Sequence, residues 1–336
     1  MALKQDNSSG YAALRDAAAL VDRSTPGRIV LTGADRRGYL QGLLTNDIEA
    51  LTPGTGCYAA MLNAQGRMLT DMRVLELGDR LLLDVPRAIA AAIRDHLDRF
   101  VFSEDVQVED VSASVADVGV YGPAALEVLQ HAGVVGSAPS ELFASARVRL
   151  GGSEAWLVRS DEIGIPGYDL IVGTQARNSM IAALAAAGAV QATADDVEIV
   201  RIESGRPRFG VDMDGDTIPL EAGIEERAIS RTKGCYVGQE VIVRVQDRGH
   251  GRVARRLVGL TLPADCAVPA AGAPLVAAGK AIGRITSATF SPALARPAAL
   301  GYVHRDFADP GTSVIVDAAC DALVTALPLV PLKARD

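Results

Sequence analysis

The chain has 336 residues, of which 49% are hydrophobic and 22% charged, and its formal net charge is −8 at pH 7. This composition is typical of a globular protein with a large core and two or three domains, and the negative charge argues against a nucleic-acid partner. Apolar runs stay below the ~18 residues that span a bilayer, and residues 1–10 are too polar for a secretory signal. We therefore expect a cytoplasmic protein with no membrane partner.

Residues 1–110 alternate short strands and helices, which predicts an α+β subdomain. Strands are predicted at 28–32, 56–62, 66–74 and 80–85, and helices at 35–44 and 87–100. Asn63-Ala64-Gln65-Gly66 reads as a hairpin turn between two of these strands.

Residues 111–250 are predicted to form a second α+β subdomain. It contains strand patterns at 115–120, 155–159 and 168–172, helix patterns at 123–132 and 174–187, and an apolar run at 195–204. From 251 to 336 the pattern changes to short β-branched runs separated by Gly and Pro, which indicates a small β-barrel or sandwich. The overall class is therefore predicted to be α+β.

The cysteines are Cys57, Cys235, Cys266 and Cys320, and they show neither a CxxC motif nor a Cys/His spacing. This scatter argues against a zinc site, a disulfide framework and a cluster held by this chain alone. We expect no resident metal.

The strongest candidate site is the segment from Arg231 to Glu240, RTKGCYVGQE, which places a thiol, an ammonium, a carboxamide and a carboxylate beside two glycines. A cysteine reacts as its thiolate, and a nearby cation such as Lys233 favours that form. Cys235 and Lys233 are therefore the candidate catalytic residues, and Gln239 is a candidate ligand contact. The structural alternative is a small buried thiol next to a solvated lysine.

The motif Lys233-Gly234-Cys235-Tyr236-x-Gly238-Gln239-Glu240 resembles the signature of the YgfZ family. These proteins are folate-binding relatives of the glycine-cleavage aminomethyltransferase (T-protein) and are implicated in iron-sulfur cluster assembly and repair. The segments RIESGRP, from Arg201 to Pro207, and NAQGR, from Asn63 to Arg67, agree with the resemblance. It implies an aminomethyltransferase-like fold of two α+β subdomains and a C-terminal β-barrel around a channel for tetrahydrofolate.

Glu203 is the predicted pterin contact, because it matches the pterin-binding glutamate of the aminomethyltransferase family. A carboxylate can accept two hydrogen bonds from the amino group and ring N–H of a pteridine. Asn63 and Asp71 are weaker candidates from the same resemblance, since Asn-x-x-Gly is also an ordinary hairpin turn.

Two departures from the aminomethyltransferase pattern bear on activity. Thr70 stands where the first, catalytic aspartate of an aspartate pair is expected, and Asp71 is the second. The Gly-Tyr-Thr-Gly-Glu run of the transferases is not intact in residues 159–169, although Gly167, Tyr168 and Asp169 keep the Gly-aromatic-acid order. These changes favour a folate binder over a one-carbon transferase.

Further folate contacts are predicted from aromatic and basic residues. Tyr58 and Tyr236 could stack on the folate rings, although such tyrosines often simply pack. The arginines between 244 and 256, with Arg244 and Arg248 foremost, form a basic strip suited to the anionic folate tail, and His250 lies within it. A solvated strand face explains this strip equally well.

The first hypothesis is a tetrahydrofolate-binding accessory protein in iron-sulfur cluster assembly or repair, acting through the Cys235 thiol. Its partners would be folate and iron-sulfur assembly proteins or client apoproteins. The alternative is a folate-dependent aminomethyl- or methyltransferase, with Asp71 as its carboxylate. A folate-storing or scaffolding protein is a third hypothesis.

Overall fold

The computed structural model describes residues 8–248 and 252–332, which build two β-sheets, their flanking helices and a closed barrel. In chain order the first part contains α1 (Ser9–Asp16), β1 (Ala19–Asp22), β2 (Gly27–Thr32), α2 (Arg36–Gln41), β3 (Thr55–Leu62), β4 (Met68–Glu76), β5 (Leu81–Val85), α3 (Ala90–Arg99) and β6 (Gln107–Asp110). The middle part contains β7 (Val115–Tyr121), α4 (Ala125–His131), β8 (Ser145–Leu150), β9 (Ser153–Ser160), β10 (Gly167–Gly173), α5 (Arg177–Ala186), β11 (Val190–Gln191) and α6 (Ala194–Glu203).

The last part begins with three short helices and ends in the barrel. These helices are α7 (Pro219–Ala222), α8 (Glu225–Ala228) and α9 (Gln239–Val243), and a single π turn (Arg244–Arg248) follows them. The barrel strands are β12 (Arg255–Thr261), β13 (Pro274–Ala277), β14 (Lys280–Ser291), β15 (Arg296–His304), β16 (Ser313–Val316) and β17 (Cys320–Thr325).

The first sheet has the strand order β3-β4-β5-β2-β6 and is antiparallel throughout. Its strands are almost wholly apolar on one face, which packs on α2 and α3 through a cluster that includes Ile29, Leu40 and Leu97. The other face turns toward the second sheet. Successive side chains of a strand point to opposite faces, and Arg28, Arg73 and Asp84 lie on the face toward the second sheet, whereas Glu76 of β4 pairs with Arg36 of α2 on the helix side.

The second sheet has the order β11-β1-β7-β10-β9-β8, in which only the β1–β11 pair is parallel. The strand β1 pairs with β7, so the start of the chain joins the second subdomain although residues 1–110 were predicted to form the first. The helix α6 begins at a capping box, because Thr193 and Asp196 exchange side-chain to backbone hydrogen bonds.

The six C-terminal strands close into a barrel in the order β12-β15-β14-β13-β16-β17. The predicted α+β class, with two α+β subdomains and a C-terminal β-barrel, is confirmed. The helices in the described ranges include none with the length and apolar character needed to cross a membrane.

A disulfide between Cys266 and Cys320 corrects the prediction made from cysteine spacing. The two residues are separated by 54 positions, yet their Cα atoms lie 6.3 Å apart. Barrel closure brings the connection after β12 against the first residue of β17, and spacing along the chain carries no sign of that approach. Cys57 and Cys235 remain free thiols.

Candidate functional site

A cavity of about 670 Å³ lies between the two sheets and is the main candidate site. Its walls come from β3, β4, the β9–β10 connection, the start of α6, the segment after α6, and α8. The volume falls within the range of small-molecule sites. Of the ten residues predicted to form the site, the structure brings two, Tyr58 and Asp71, to this cavity.

Tyr58 and Asp71 form a hydrogen-bonded pair at the cavity wall. The Tyr58 hydroxyl donates to Asp71 Oδ2 at 2.6 Å. Burial raises the pKa of Asp71 to about 6, and the nearby Glu162 charge acts in the same direction, whereas the Tyr58 hydrogen bond and Arg227 lower it. Burial also raises the pKa of Tyr58 well above its ordinary value, so the phenol stays protonated as the donor. The pair therefore presents a carboxyl group that changes charge near neutral pH.

Thr70 lies on the opposite face of β4 from this pair. Its side chain is fully buried, and its hydroxyl donates to the Asp71 backbone carbonyl at 2.9 Å. Strand alternation directs Asp71 and Arg73 toward the cavity, while Met72 and Val74 pack into the core on the helix side. The departure at position 70 therefore does not remove a carboxylate from the cavity, because Asp71 supplies one.

The floor of the cavity is a layer of buried ion pairs between the two sheets. Arg73, with a fully buried side chain, contacts Asp84, Asp117 and Asp169, and its Nη2 to Asp117 Oδ2 distance is 3.3 Å. Arg28 adds contacts of 2.7 Å to Asp84 and 2.9 Å to Asp117. Because Arg28, Arg73 and Asp84 belong to the first sheet and the other two aspartates to the second, this layer fixes the sheets against each other.

A second set of ion pairs forms the cavity rim. Arg227, in α8, contacts Asp161 at 3.0 Å and Glu162 at 3.6 Å, and Arg206 binds the other oxygen of Asp161. The Arg227 guanidinium also lies over the Tyr58 ring, 4.8 Å from its centroid. The β9–β10 connection that departs from the transferase pattern thus forms part of the wall. Asp169 lies below it, in the ion-pair layer.

Glu203 does not line the cavity. Its side chain is fully buried, and its carboxylate accepts hydrogen bonds from the Tyr11 hydroxyl, at 2.9 and 3.0 Å, and from Ser291 Oγ, at 2.5 Å. Arg15 Nη1 lies 3.9 Å from it. These contacts join α6 to α1 and to β14 of the barrel, so Glu203 has a structural role, and a pterin contact at this residue stays a prediction.

The Lys233 ammonium contacts backbone carbonyls instead of the Cys235 thiol. It donates to the carbonyls of Gln41, Leu44 and Asn46 at 2.5, 2.5 and 3.0 Å. Burial lowers the pKa of Lys233 to about 8. The described contacts of Lys233 are therefore structural, because the carbonyls at the end of α2 and just after it require donors and this lysine supplies them. Activation of Cys235 by Lys233 stays a prediction.

We expect Lys233→Met to destabilise the protein by about 3 kcal/mol, because three carbonyls would lose a charged donor. Equilibrium unfolding in urea measures this loss. Lys280→Met, which changes an exposed lysine, is the matched control and should leave the midpoint nearly unchanged. Equal urea midpoints for the two variants would show that Lys233 does not stabilise the fold.

The signature loop packs against the β3–β4 hairpin turn. Gly238 has φ of 85°, and a Cβ there would lie 2.5 Å from the Asn63 carbonyl oxygen, so glycine is required. The Asn63 side chain accepts hydrogen bonds from the amides of Gln65 and Arg67, which makes it a turn residue. Tyr236 is buried beneath the Lys233 ammonium, whereas Cys235 is exposed. The loop therefore has a fixed backbone and an accessible thiol.

The predicted basic strip does not reach the cavity in the part of the chain that the structure describes. Arg244 pairs with Glu240 at 2.8 Å on the exposed face of α9, which begins at the half-buried Gln239. Arg255 pairs with Glu221 at 3.0 Å. The side chain of Arg248 and all of His250 lie outside the described residues. The arginines that line the cavity are instead those at 23, 73, 87, 201, 206, 208 and 227.

The sequence did not lead us to Arg73, Arg227 or Glu162 as site residues. For Arg73, however, the sequence contains a pattern that could have indicated its role. Charged residues at inward positions of largely apolar strands occur in β4, β5, β7 and β10, at Arg73, Asp84, Asp117 and Asp169. Buried charges of this kind require partners, so four such strands predict a buried ionic layer. Arg227 carried no comparable signal, because its partners come from distant segments.

Comparison with known proteins agrees with this architecture. The family profile described as the GCVT N-terminal domain matches residues 4–233, and the one described as the glycine cleavage T-protein C-terminal barrel domain matches residues 255–331. The chain therefore belongs to the glycine cleavage T-protein family.

Individual relatives cover most of the chain. The aminomethyltransferase of Thermosynechococcus vestitus is 30% identical over 306 residues, covering 91% of this chain and 82% of the relative. That of Saccharopolyspora erythraea is 28% identical over 335 residues, covering 98% and 90%. The crystal structure of glycine cleavage system aminomethyltransferase T from Bartonella henselae superposes with a TM-score of 0.86 at 24% identity, covering 96% of this chain and 89% of that one, which shows the shared fold.

Proposed function

We propose that this protein binds a reduced folate in the cavity between the two sheets and catalyses a folate-dependent one-carbon transfer from an amine donor. The observation that carries the proposal is the Asp71 carboxyl group at the cavity wall, with its pKa raised to about 6 and its orientation set by Tyr58. The aminomethyltransferases among the relatives support the same reaction class.

The residues of the cavity fit such a ligand. Tyr58 and Phe209 offer aromatic surface, and Glu162 and Asp71 offer acceptors for the N–H groups of a heteroaromatic ring. Arg87 and Arg208 lie exposed at the cavity rim, where they suit the anionic tail of folate. The sequence pattern had predicted arginines of the 244–256 strip for that contact. Tetrahydrofolate is therefore the proposed ligand.

Asp71 supplies the proton transfer that this reaction requires. Moving a one-carbon unit from an amine to a folate nitrogen removes a proton from the accepting nitrogen and returns one to the departing amine. A carboxyl group with a pKa near 6 is suited to both steps at neutral pH. Tyr58, as hydrogen-bond donor, keeps the carboxylate directed into the cavity.

Calorimetric titration with tetrahydrofolate, followed by turnover assays on a panel of amine donors, tests the proposal. We expect binding to the parent protein and weaker binding to Arg208→Met. Glu203→Gln is the discriminating variant: loss of affinity in that variant alone would move the folate to the junction of α1, α6 and the barrel. Absence of binding by the parent protein would overturn the folate assignment.

A second candidate function is the iron-sulfur assembly or repair role implied by the YgfZ-like signature. The exposed Cys235 on a backbone fixed by Gly238 and Lys233 favours it. Its partners would be iron-sulfur assembly proteins or client apoproteins.

For this second function we expect Cys235→Ala to abolish complementation of a host that lacks its own protein of this type. A thiolate acts as nucleophile or metal ligand, and alanine can do neither. Cys57→Ala, which removes the other free thiol from a half-buried strand position, is the matched control. Full complementation by Cys235→Ala would exclude a thiol mechanism.

A further inference from the structure

The orientation of Asp71 depends on the position of one aromatic ring. Tyr58 is 6% exposed, and its hydroxyl is the donor to Asp71 Oδ2. A phenol ring that can rotate about its χ1 torsion would carry this hydrogen bond with it. Whatever fixes the Tyr58 ring therefore also fixes the carboxylate.

Arg227 lies on the face of that ring. Its guanidinium carbon is 4.8 Å from the ring centroid, a distance typical of a cation–π contact. The backbones of the two residues are also joined, because the Asn46 side-chain amide donates to the Tyr58 carbonyl at 2.9 Å and to the Arg227 carbonyl at 3.1 Å. The stacked pair is thus held at both the side chains and the main chain.

The same guanidinium holds the second subdomain at this point. It contacts Asp161 and Glu162, the acids that follow β9, at 3.0 and 3.6 Å. The neighbouring side chains with the largest effect on the pKa of Asp71 are Tyr58 from β3, Glu162 from the β9–β10 connection and Arg227 from α8. Arg227 contacts the other two, so it couples the position of the phenol to that of the second carboxylate.

We propose that Arg227 is the positioning residue of the site. It stacks on Tyr58 to orient Asp71, and it pairs with Glu162 so that the Glu162 carboxylate does not oppose the ionisation of Asp71. This inference rests on the proposed function, since it assigns the residue that sets its acid–base group. Arg227 itself exchanges no proton with the substrate. It acts through Tyr58 and Glu162.

The direct test is a carboxyl ¹³C NMR titration of the parent and of Arg227→Met, with the Asp71 signal identified by its absence in Asp71→Asn. We expect the parent midpoint at about 6. In Arg227→Met it should rise by roughly one unit, because a nearby cation is lost while Glu162 becomes unpaired. An unchanged midpoint in a folded Arg227→Met variant would overturn the inference.

Two further variants keep the test decisive. Arg159→Met removes another arginine that stacks on a tyrosine, Tyr168 at 5.0 Å, away from the cavity, and should leave the Asp71 midpoint unchanged. Arg227→Lys retains the charge without the planar stacking surface, and it replaces Arg227→Met in the test if that variant does not fold. We expect the Asp71 midpoint of Arg227→Lys to rise by less than one unit, and an unchanged midpoint would contradict the proposal.

The titration needs no substrate, so it separates this inference from the function on which it rests. A shifted midpoint without turnover on any donor would support the positioning role and reject the transferase. If turnover occurs, Arg227→Met should lower kcat more than it raises KM and move the acid limb of the pH profile upward by the same amount. Turnover with an unmoved acid limb would reject the positioning role alone.

Discussion

Asp71→Asn is expected to lower one-carbon transfer by at least 100-fold while leaving tetrahydrofolate affinity within a few-fold of the parent, since a positioned acid–base group typically contributes 10²- to 10⁴-fold. The amide still accepts a hydrogen bond from Tyr58 but cannot take up a proton. Single-turnover rates and calorimetric affinity measure the two effects separately. Equal losses in rate and affinity would instead make Asp71 a binding residue.

Thr70→Val is the matched control for this variant. It changes the neighbouring residue of β4 on the face away from the cavity, where the hydroxyl bonds only the Asp71 carbonyl among the described hydrogen bonds. We expect nearly unchanged transfer. A loss of transfer rate comparable to that of Asp71→Asn would place the essential group at position 70. The threonine at this position would then count against transferase activity.

The pH dependence of both rate and stability follows from the raised pKa of Asp71. The carboxylate is the active base, so the transfer rate should rise with pH through about 6 and then level off. In folding, the proton is bound more tightly by the native state, so this group's contribution to stability is present below its unfolded pKa and is lost as pH rises through about 6. Asp71→Asn should lack both dependences.

Arg73→Met should destabilise the protein by roughly 3–5 kcal/mol, the range measured when one partner of a buried ion pair is removed. Three buried carboxylates, Asp84, Asp117 and Asp169, would lose the guanidinium that joins them across the two sheets. Denaturant unfolding followed by far-ultraviolet circular dichroism measures the loss. The deficit should shrink at lower pH, because protonation of carboxylates that have lost their cation relieves their repulsion.

The control for Arg73 is Arg149→Met, which breaks an exposed pair with Glu154 at 3.2 Å. Such surface pairs contribute about 0–1 kcal/mol, and we expect a change in that range at either pH. A similarly small loss for Arg73→Met would show that the ionic layer does not hold the sheets together.

Much of the fold was determined locally and could be predicted. Apolar runs such as those of β4, β5 and β10 were predicted as strands to within two or three residues at each end, since alternation and turn residues act over a few positions. The helix predicted at 35–44 ends at Gln41 instead, because Leu44 pairs with Met61 of β3 and the carbonyls at the helix end bind Lys233. A distant lysine and a strand bridge are tertiary effects that the local pattern does not contain.

The sequence by itself determined the α+β class, the C-terminal barrel, the turn at Asn63 and the presence of Asp71 and Tyr58 as candidates for the site. Only the tertiary structure decided that Asp71 faces the cavity and Thr70 does not, that Glu203 and Lys233 are occupied by other partners, and that Cys266 bonds to Cys320. The physical reason is that strands, helices and turns follow from residue type and periodicity, which act between neighbours along the chain. The partner of a buried charge or thiol is fixed by sheet packing and barrel closure, which join residues far apart in sequence.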